Sequence, residues 1–344
     1  MIDPDVLRAV PKVCLHEHLD GALRPSTFAE LATLEGIALP CAPDALADWF
    51  FDSASTGNLV GYLRTFDLTI AVLQNPDNLT RVARELTLDL AADGVVYAEV
   101  RWAPEQHLTR GHTMRAMVAG VFEGMREGMA EAAGAGRPIE VRQLLTSLRH
   151  LEPNTTTAHL ALGCRDLGVV GFDLAGPEAG YPAERFADAC RIVREGGLGL
   201  TVHAGEAYGP DSIWQALKVG ATRLGHGIHL IDDCPDGRLG HIATAVRDRG
   251  VTLEVCPTSN LQTGVASIDE HPVTRLRDLG LRVSISCDNR LMSRTSATHE
   301  FEQLAEHHGW TEADFVQVAE VGLAAAFADE PTKARVALLL DRLG

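Results

Sequence analysis

Short apolar segments rich in valine, isoleucine and leucine recur along the 344-residue chain, and stretches with apolar residues at three- and four-residue spacing separate them. Short apolar runs are typical of buried strands, and the wider spacing is typical of amphipathic helices. Because strands that alternate with helices form parallel sheets, the pattern predicts an α/β protein. The candidate strands are Lys12 to Leu15, Val95 to Arg101, Ile139 to Leu145, Gly168 to Leu174, Leu198 to Val202, Arg223 to Gly225, Val251 to Val255 and Leu281 to Ser286.

Eight strand and helix units favour a closed (β/α)8 TIM barrel over an open doubly wound sheet. No Gly-x-Gly-x-x-Gly motif, which is typical of a dinucleotide-binding open sheet, follows the first candidate strand. Hydrophobic residues make up 46% of the chain, enough for a large core. The length suits one barrel of about 250 residues with insertions. We therefore predict a single domain over residues 1–344.

Residues 24–94 form an insertion between the first two candidate strands that is too long for one crossover helix. The spacing predicts helices over Ser26 to Glu35, with Ser26 as its N-cap, over Asn58 to Val72 and over Asn78 to Ala92. At the mouth of a barrel, such an insertion would cover the active site. Its apolar side chains could form a lid, although packing between helices is the plainer explanation for most of them. These side chains are Phe50, Phe51, Leu59, Tyr62 and Phe66.

The net charge and the expected lack of a signal or membrane segment restrict the partners and the compartment. Acidic residues outnumber basic residues by 47 to 30, which gives a net charge of −17. This charge disfavours nucleic acids and anionic membranes as partners, and small neutral or cationic ligands fit better. The first residues lack a basic segment followed by an apolar core, and no stretch approaches the roughly 20 apolar residues of a membrane span. We expect a cytoplasmic protein that is a monomer or a weak homo-oligomer.

Seven cysteines without Cys-x-x-Cys spacing argue against both a disulfide framework and a structural zinc site. Cys256 and Cys287 lie at the ends of candidate strands, where they could line a pocket. A small buried side chain is the simpler interpretation of each. We assign no chemistry to them.

His16 and His18 lie at the end of the first candidate strand. Residues i and i+2 of a strand point to the same face, so both imidazoles could bind one metal ion, although an isolated pair of this kind is more often structural. His203, His226 and Asp288 follow or end other candidate strands. Because the carboxyl ends of barrel strands face one rim, all five side chains should converge there. Three histidines and one carboxylate with an open position describe a catalytic zinc site.

Taken together, the motifs resemble those of the adenosine deaminase family. They occur in the order of the family, with compatible spacing, and span nearly the whole chain. Two weaker segments, Tyr97 to Arg101 and Phe172 to Gly176, are also similar. The main motifs are His16-x-His18-Leu19-Asp20-Gly21, Thr201-Val-His203-Ala-Gly-Glu206, Leu224-Gly-His226-Gly227, Glu254-Val-Cys-Pro257 and Asp288.

The resemblance implies a zinc enzyme that hydrolyses adenosine and deoxyadenosine to inosine and deoxyinosine plus ammonia. In the family, zinc activates a water molecule for attack on C6 of the purine, and zinc can lower the pKa of bound water from about 15.7 to about 7. The implied partner is therefore a small purine nucleoside. The implied ligands of one zinc ion per chain are His16, His18, His203 and Asp288.

Two further residues carry the implied proton chemistry. Glu206 resembles the acid that delivers a proton to purine N1, although a carboxylate that orients a histidine would fit the same position. His226 resembles the base or electrostatic stabiliser of the attacking hydroxide. A structural histidine or a fourth neutral ligand is the alternative for His226.

The resemblance also places substrate contacts. His18 and Asp20 belong to the loop that meets the sugar hydroxyls, although an aspartate before Gly21 could simply stabilise a turn. The backbone N–H of Gly176 is placed on purine N3. Where the family commonly has Asn-Thr-Asp-Asp, this chain has Ser286-Cys287-Asp288-Asn289. Asn289 carries a permanent N–H donor for purine N7.

One further departure from the family pattern lies after the fourth candidate strand. Pro177 stands where the family usually has an acidic residue, which alters the neighbouring loop.

Three other functions remain open from the sequence. Asn289 would also suit a deaminase of a modified 6-aminopurine nucleoside. Another metal-dependent amidohydrolase would usually hold a second metal with a bridging lysine or carboxylate, and no lysine ends a candidate strand. A nucleoside-binding protein without catalysis would have no need of Glu206 beside a complete set of metal ligands.

Overall fold

The computed structural model describes residues 2–343, and its central element is an eight-stranded parallel sheet in the order β1 to β8. Every pair of sequential strands is hydrogen-bonded in parallel. The predicted domain includes Met1 and Gly344, which lie outside the described residues. The strands are β1 (Lys12–His18), β2 (Val95–Trp102), β3 (Glu140–Leu148), β4 (Val169–Ala175), β5 (Gly199–Ala204), β6 (Arg223–His226), β7 (Thr252–Val255) and β8 (Arg282–Ile285).

The sheet closes between its first and last strands at the rim formed by the carboxyl ends. A parallel bridge joins Glu17 to Asp288. Below it, the hydroxyl of Ser286 accepts hydrogen bonds from the backbone N–H groups of Leu15 and His16, each over 3.1 Å. These contacts confirm the predicted (β/α)8 TIM barrel, because only a closed sheet brings β8 next to β1.

Two strands extend well beyond the ends that the sequence predicts. β1 continues through His18 and β3 through Leu148, each three residues beyond its predicted end. In both cases the added residues include polar side chains, which interrupt an apolar pattern. Thr146, for example, is buried and donates to Asp173 over 3.1 Å. Because polar side chains face the barrel interior at this rim, the apolar pattern of the sequence stops before the strands end.

Helices surround the barrel and fill the connections. Those of the insertion between β1 and β2 are α2 to α6. The helices are α1 (Pro4–Ala9), α2 (Pro25–Glu35), α3 (Leu46–Ala54), α4 (Leu59–Leu63), α5 (Phe66–Val72), α6 (Pro76–Ala92), α7 (Met114–Gly134), α8 (Thr156–Gly163), α9 (Ala187–Glu195), α10 (Pro210–Val219), α11 (His241–Asp248), α12 (Pro257–Thr263), α13 (Val273–Asp278), α14 (Arg290–Ser293), α15 (Ala297–His308), α16 (Glu312–Ala325) and α17 (Glu330–Leu343).

The insertion differs from the sequence prediction in its details. Ser26 is not an N-cap, because Arg24 occupies that position and Pro25, which needs no N–H partner, begins α2. The single helix expected over Asn58 to Val72 is two helices, α4 and α5, and α3 was not predicted. α6 begins at Pro76, two residues earlier than expected.

The apolar side chains of the insertion occupy two kinds of position, the core and the wall of a cavity. Phe50 packs edge to face against Phe28, with ring centroids 5.1 Å apart, so it belongs to the core. Leu59, Tyr62 and Phe66 instead line a cavity at the rim of the barrel. The lid interpretation therefore applies to part of the set only. Among residues 2–343, no helix is both long and apolar enough to cross a membrane.

Candidate active site

Four potential metal ligands meet at the rim of the barrel. Nε2 of His18 lies 3.3 Å from Nε2 of His203 and 3.2 Å from Oδ1 of Asp288. Nε2 of His16 lies 3.3 Å from the same carboxylate oxygen. One ligand atom from each of the four side chains falls within 4.8 Å of all the others. The structure thus brings together the residues predicted from the ends of β1, β5 and β8.

The hydrogen bonds behind these histidines fit a metal ion. Nδ1 of His16 lies 3.1 Å from Oε2 of Glu254, and Nδ1 of His203 lies 3.0 Å from Oδ1 of Asp173. A carboxylate at Nδ1 keeps the proton on that nitrogen and leaves the Nε2 lone pair for a metal. Within the described residues, Nε2 of His16 is buried without a hydrogen-bond partner. Such an orphaned lone pair in a cluster of ligands suits one divalent cation.

Buried arginines hold the two supporting carboxylates. Arg101 contacts Glu254 over 2.6 Å and Asp173 over 3.4 Å, and Arg223 contacts the other oxygen of Glu254 over 2.6 Å. Burial alone would raise the pKa of Asp173, but its contacts with His203 and Arg101 outweigh burial and lower the pKa. Arg101 and Arg223 lower the pKa of Glu254 in the same way, against the effect of burial. Both carboxylates are therefore held in the charged form.

Unusual backbone conformations occur at two of the rim residues. Asp288 has φ of 63° and His226 has φ of 62°, a region that residues other than glycine seldom occupy. Asp288 is fixed by its backbone N–H, which donates to His16 over 3.0 Å, and by the hydroxyl of Ser259, which donates to its Oδ2 over 2.7 Å. Strained backbone that is held by several contacts is typical of functional sites.

Glu206 lines the same cavity as His18, His203 and Asp288. Its side chain is buried, and its Oε2 lies 3.7 Å from Nε2 of His226. Burial raises the pKa of Glu206 well above its usual range, and the negative charges of Asp288 and Glu178 raise it further. The raised pKa favours the protonated form of this carboxyl group, which a general acid requires.

The loop that carries Glu206 is held by a second buried carboxylate, Glu178. One oxygen of Glu178 accepts the backbone N–H groups of Glu206, Ala207 and Tyr208 over 3.2, 2.8 and 2.9 Å, and the other accepts the N–H of Gly205. Consecutive N–H groups that converge in this way form an anion-binding nest, which the left-handed conformation of Gly205 (φ 72°) permits. Glu178 directly follows Pro177 in the sequence, and it anchors the loop that carries the predicted acid, Glu206.

His226 faces the cavity with one ring nitrogen and the interior with the other. Its Nδ1 lies 3.0 Å from Nδ2 of Asn260. Oδ1 of Asn260 in turn lies 3.2 Å from Nε2 of His271. All three side chains are buried. Sequence reasoning missed Asn260 and His271, because neither belongs to a motif that was singled out.

A cavity connects the cluster with the exterior. Its inner part is lined by Glu206, by the cluster residues other than His16, and by Leu59, Tyr62 and Phe66. It continues outward past His18, Phe66 and Gly176. The outer part has a volume of about 270 Å³ and includes Asp20 in its wall. Among residues 2–343, Oδ1 of Asp20 is buried without a hydrogen-bond partner, and burial raises the pKa of this carboxyl to about 7. Gly176 also lines the cavity, and its φ of 98° is a conformation that glycine adopts readily.

Asn289 lines the inner cavity, and its side chain already donates one hydrogen bond. Its Nδ2 donates to Oη of Tyr62 over 2.8 Å, and its Oδ1 is buried without a partner in the described chain. The amide group has a second hydrogen on Nδ2, which is available to a ligand. A Cβ atom at Gly21 would lie 2.0 Å from Oδ1 of Asn289, so the glycine makes room for this amide.

The two cysteines at strand ends do not border this cavity. Cys256 and Cys287 are fully buried and unpaired. The side chains that sequence reasoning missed support the cluster from behind. Asp173 and Glu254 lay within quoted motifs, and a search of those motifs for carboxylates would have found them.

Comparison with known proteins agrees with this geometry. The sequence profile of the adenosine deaminase family matches residues 11–343. The chain belongs to the adenosine deaminase family. It is 50% identical to adenosine deaminase 1 from Streptomyces coelicolor, which covers 98% of this chain and 87% of the relative. It is 47% identical to an adenosine deaminase from Mycolicibacterium vanbaalenii, with 98% of each chain covered. The resemblance seen in the motifs is thus confirmed.

Several solved structures share the fold of this chain. The N6-mAMP deaminase of Arabidopsis superposes with a TM-score of 0.85 at 27% identity, covering 98% of this chain and 99% of that one. An amidohydrolase from Burkholderia ambifaria with bound zinc gives a TM-score of 0.81 at 26% identity, covering 100% of this chain and 94% of that one. One structurally similar protein therefore holds zinc.

Proposed function

We propose that this chain is a zinc-dependent adenosine deaminase that hydrolyses adenosine and deoxyadenosine to inosine and deoxyinosine, with release of ammonia. The observation that carries the proposal is that buried Glu206 lines the same cavity as three of the four clustered metal ligands. Relatives that are 45–50% identical over nearly the whole chain are named adenosine deaminases, which supports adenosine as the substrate.

The proposed ligands of one zinc ion are those of the cluster at the rim. Three imidazoles and a carboxylate suit zinc better than magnesium or calcium, which prefer oxygen ligands. When bound, zinc supplies Lewis acidity that makes water a nucleophile near neutral pH. The ligand residues are His16, His18, His203 and Asp288.

Glu206 is the proposed acid. Attack at C6 moves electron density onto N1 of the purine, where a proton must arrive. Glu206 keeps its proton because it is buried, and the nest around Glu178 fixes the loop on which it lies. Transfer of this proton to N1 neutralises the charge that develops on the ring. His226, on the same side of the cavity, completes the proposed catalytic pair.

The proposed substrate contacts follow the cavity outward. Asp20, with its unpaired oxygen, accepts a sugar hydroxyl, and His18 borders the same part of the cavity. The backbone N–H of Gly176 donates to purine N3. The second amide hydrogen of Asn289 donates to purine N7, which has no proton and can only accept.

A panel of substrates tests this proposal. Adenosine, deoxyadenosine, adenine, AMP and N6-methyl-AMP would be mixed with the zinc-loaded protein, and the loss of the adenine absorbance band and the release of ammonia would be followed. We expect turnover of adenosine and deoxyadenosine above all others. Turnover of another 6-aminopurine without adenosine turnover would instead favour a specialised deaminase, an alternative that Asn289 and the likeness to an N6-mAMP deaminase keep open.

Three broader expectations remain proposals. We propose that residues 1–344 form one domain, that the chain is a monomer or a weak homo-oligomer, and that it acts in the cytoplasm on small purine nucleosides. The net charge of −17 supports a small ligand over a nucleic acid. Sedimentation at several concentrations tests the oligomeric state, because a weak oligomer dissociates on dilution.

A further inference from the structure

A chain of hydrogen bonds begins at a backbone N–H and ends at His226. The backbone N–H of Val273 lies 3.2 Å from Nδ1 of His271. A backbone N–H can only donate, so Nδ1 of His271 accepts and carries no proton. His271 is therefore neutral, in line with its burial, which lowers its pKa to about 3. Its one ring proton must lie on Nε2.

The direction of the next two bonds follows from the first. Nε2–H of His271 points to Asn260 over 3.2 Å, so the side-chain atom of Asn260 at that point must be the carbonyl oxygen. The other end of the amide is then the NH2 group. It lies 3.0 Å from Nδ1 of His226 and donates to it. The orientation of the Asn260 amide is thus fixed by a backbone group whose role cannot be reversed.

We propose that Asn260 and His271 are positioning residues that hold the ring proton of His226 on Nε2. Because Nδ1 of His226 accepts from Asn260, the proton of the neutral imidazole lies on the nitrogen that faces the cavity. The proposal rests on the proposed function only in the role that it gives to this proton. The proton assignment itself follows from the hydrogen bonds.

This assignment decides between the two roles that the sequence leaves open for His226. A neutral imidazole with its proton on Nε2 has no lone pair on that nitrogen, so it cannot act as a base toward the cavity. It can donate a hydrogen bond to an oxygen nucleophile or to a developing negative charge. His226 therefore acts as a fixed hydrogen-bond donor, and Glu206 alone serves as the proposed acid.

Burial makes the arrangement rigid. His226, Asn260 and His271 are 1%, 0% and 2% exposed, so water does not compete for the bonds. Reversal of the hydrogen bonds would set the N–H of Val273 against an N–H of His271 and leave buried donors unpaired, which is unfavourable in a buried site. The cavity-facing proton thus depends on residues that do not touch the substrate.

Nitrogen NMR of the zinc-loaded protein labelled with 15N-histidine tests the proton assignment directly. Two-bond proton–nitrogen correlations distinguish protonated from unprotonated ring nitrogens, and a His226→Gln spectrum identifies the signals of His226 among the 14 histidines. We expect His226 with Nε2 protonated and Nδ1 unprotonated. A wild-type spectrum with Nδ1 of His226 protonated would overturn the proposal.

An Asn260→Asp variant tests the positioning role. Aspartate has nearly the same shape and still accepts from His271, but it cannot donate to His226, so the proton moves to Nδ1. We expect this change in the spectrum together with a fall in kcat of roughly 10²- to 10³-fold, the usual cost of losing one preorganised donor, while KM and zinc content change little. The matched control is Asn154→Asp, at an exposed residue whose oxygen accepts from Thr156 and would still do so.

The outcomes separate the two proposals. An Asn260→Asp protein with an unchanged His226 spectrum and unchanged kcat would contradict the positioning role. If the variant does not fold, the wild-type spectrum decides alone, because it needs neither substrate nor substitution. Absence of adenosine turnover by the wild type would contradict the proposed function and leave the proton assignment to be judged by the spectrum.

Discussion

Oδ1 of Asp173 lies 3.0 Å from Nδ1 of His203, and both side chains are buried. Glu254 stands in the same relationship to His16, at 3.1 Å. In each pair a carboxylate on another strand of the barrel directs the opposite ring nitrogen toward the metal cluster. Metal affinity should therefore depend on residues that do not touch the metal.

We predict that Asp173→Asn lowers zinc affinity about 10- to 100-fold, the usual effect of losing a carboxylate behind a metal-bound histidine. The amide holds the His203 proton less strongly and weakens Nε2 as a ligand. Competition with a zinc chelator measures the affinity. Asp188→Asn, at a side chain that is 82% exposed, should leave the affinity unchanged. Equal affinities in the two variants would show that Asp173 does not support the metal site.

Two variants should show that metal binding and acid catalysis depend on different residues. His203→Ala removes a proposed ligand, so the purified protein should lose its zinc and its activity. Glu206→Gln keeps the shape and the hydrogen bonds of the loop but has no proton to transfer. It should keep one zinc per chain and lose roughly 10²- to 10⁴-fold in kcat. Metal analysis beside the assay checks both, and loss of zinc from Glu206→Gln would refute the assignment of Glu206 as the acid.

Removal of Glu178 should misplace the acid without emptying the metal site. In Glu178→Ala, four backbone N–H groups lose their common acceptor, and Glu206 moves with the loop. Because a shift of about 1 Å can cost about 100-fold in rate, we expect a loss in kcat near that size with zinc retained.

Glu178→Gln should fall between wild type and alanine, because the amide oxygen still accepts from part of the nest. Glu127→Gln, at an exposed residue of α7, serves as the control. If Glu178→Ala had the kcat of the wild type, the nest would have no part in catalysis.

The contact of Asn289 with purine N7 is testable with 7-deazaadenosine, which lacks that acceptor. If Asn289 donates to N7, loss of N7 leaves a buried donor unpaired and should cost the wild type about 1–3 kcal/mol in kcat/KM. In Asn289→Ala, this part of the preference for adenosine should disappear. The different reactivity of the two rings is the same in both proteins and cancels. If Asn289→Ala kept the full preference for adenosine over 7-deazaadenosine, Asn289 would not be the donor to purine N7.

The barrel and its metal cluster were predictable because both depend on short patterns. Alternating strands and helices predict the barrel, and histidines at strand ends predict the rim cluster. The N-cap at Ser26 was wrong because Pro25 can begin a helix. β1 and β3 ended later than predicted because residues such as His16 and Thr146 are polar yet buried.

The supporting residues were harder to predict. Glu178 and Asn260 act through contacts between loops or elements that only the folded barrel brings together. A lone glutamate after a strand and an asparagine in a short helix carry no periodic signal. What identifies Glu178 is the set of N–H groups around it, and what identifies Asn260 is its position between two buried imidazoles.

Zinc titration of the metal-free protein tests the central claim most directly. Adenosine turnover would be recorded at each addition of zinc, with bound zinc measured on the same samples. We predict no turnover without metal, a linear rise, and a plateau at one zinc per chain. Full turnover by the metal-free protein, a plateau at two zinc ions, or a zinc-loaded protein inactive toward both adenosine and deoxyadenosine would contradict the account.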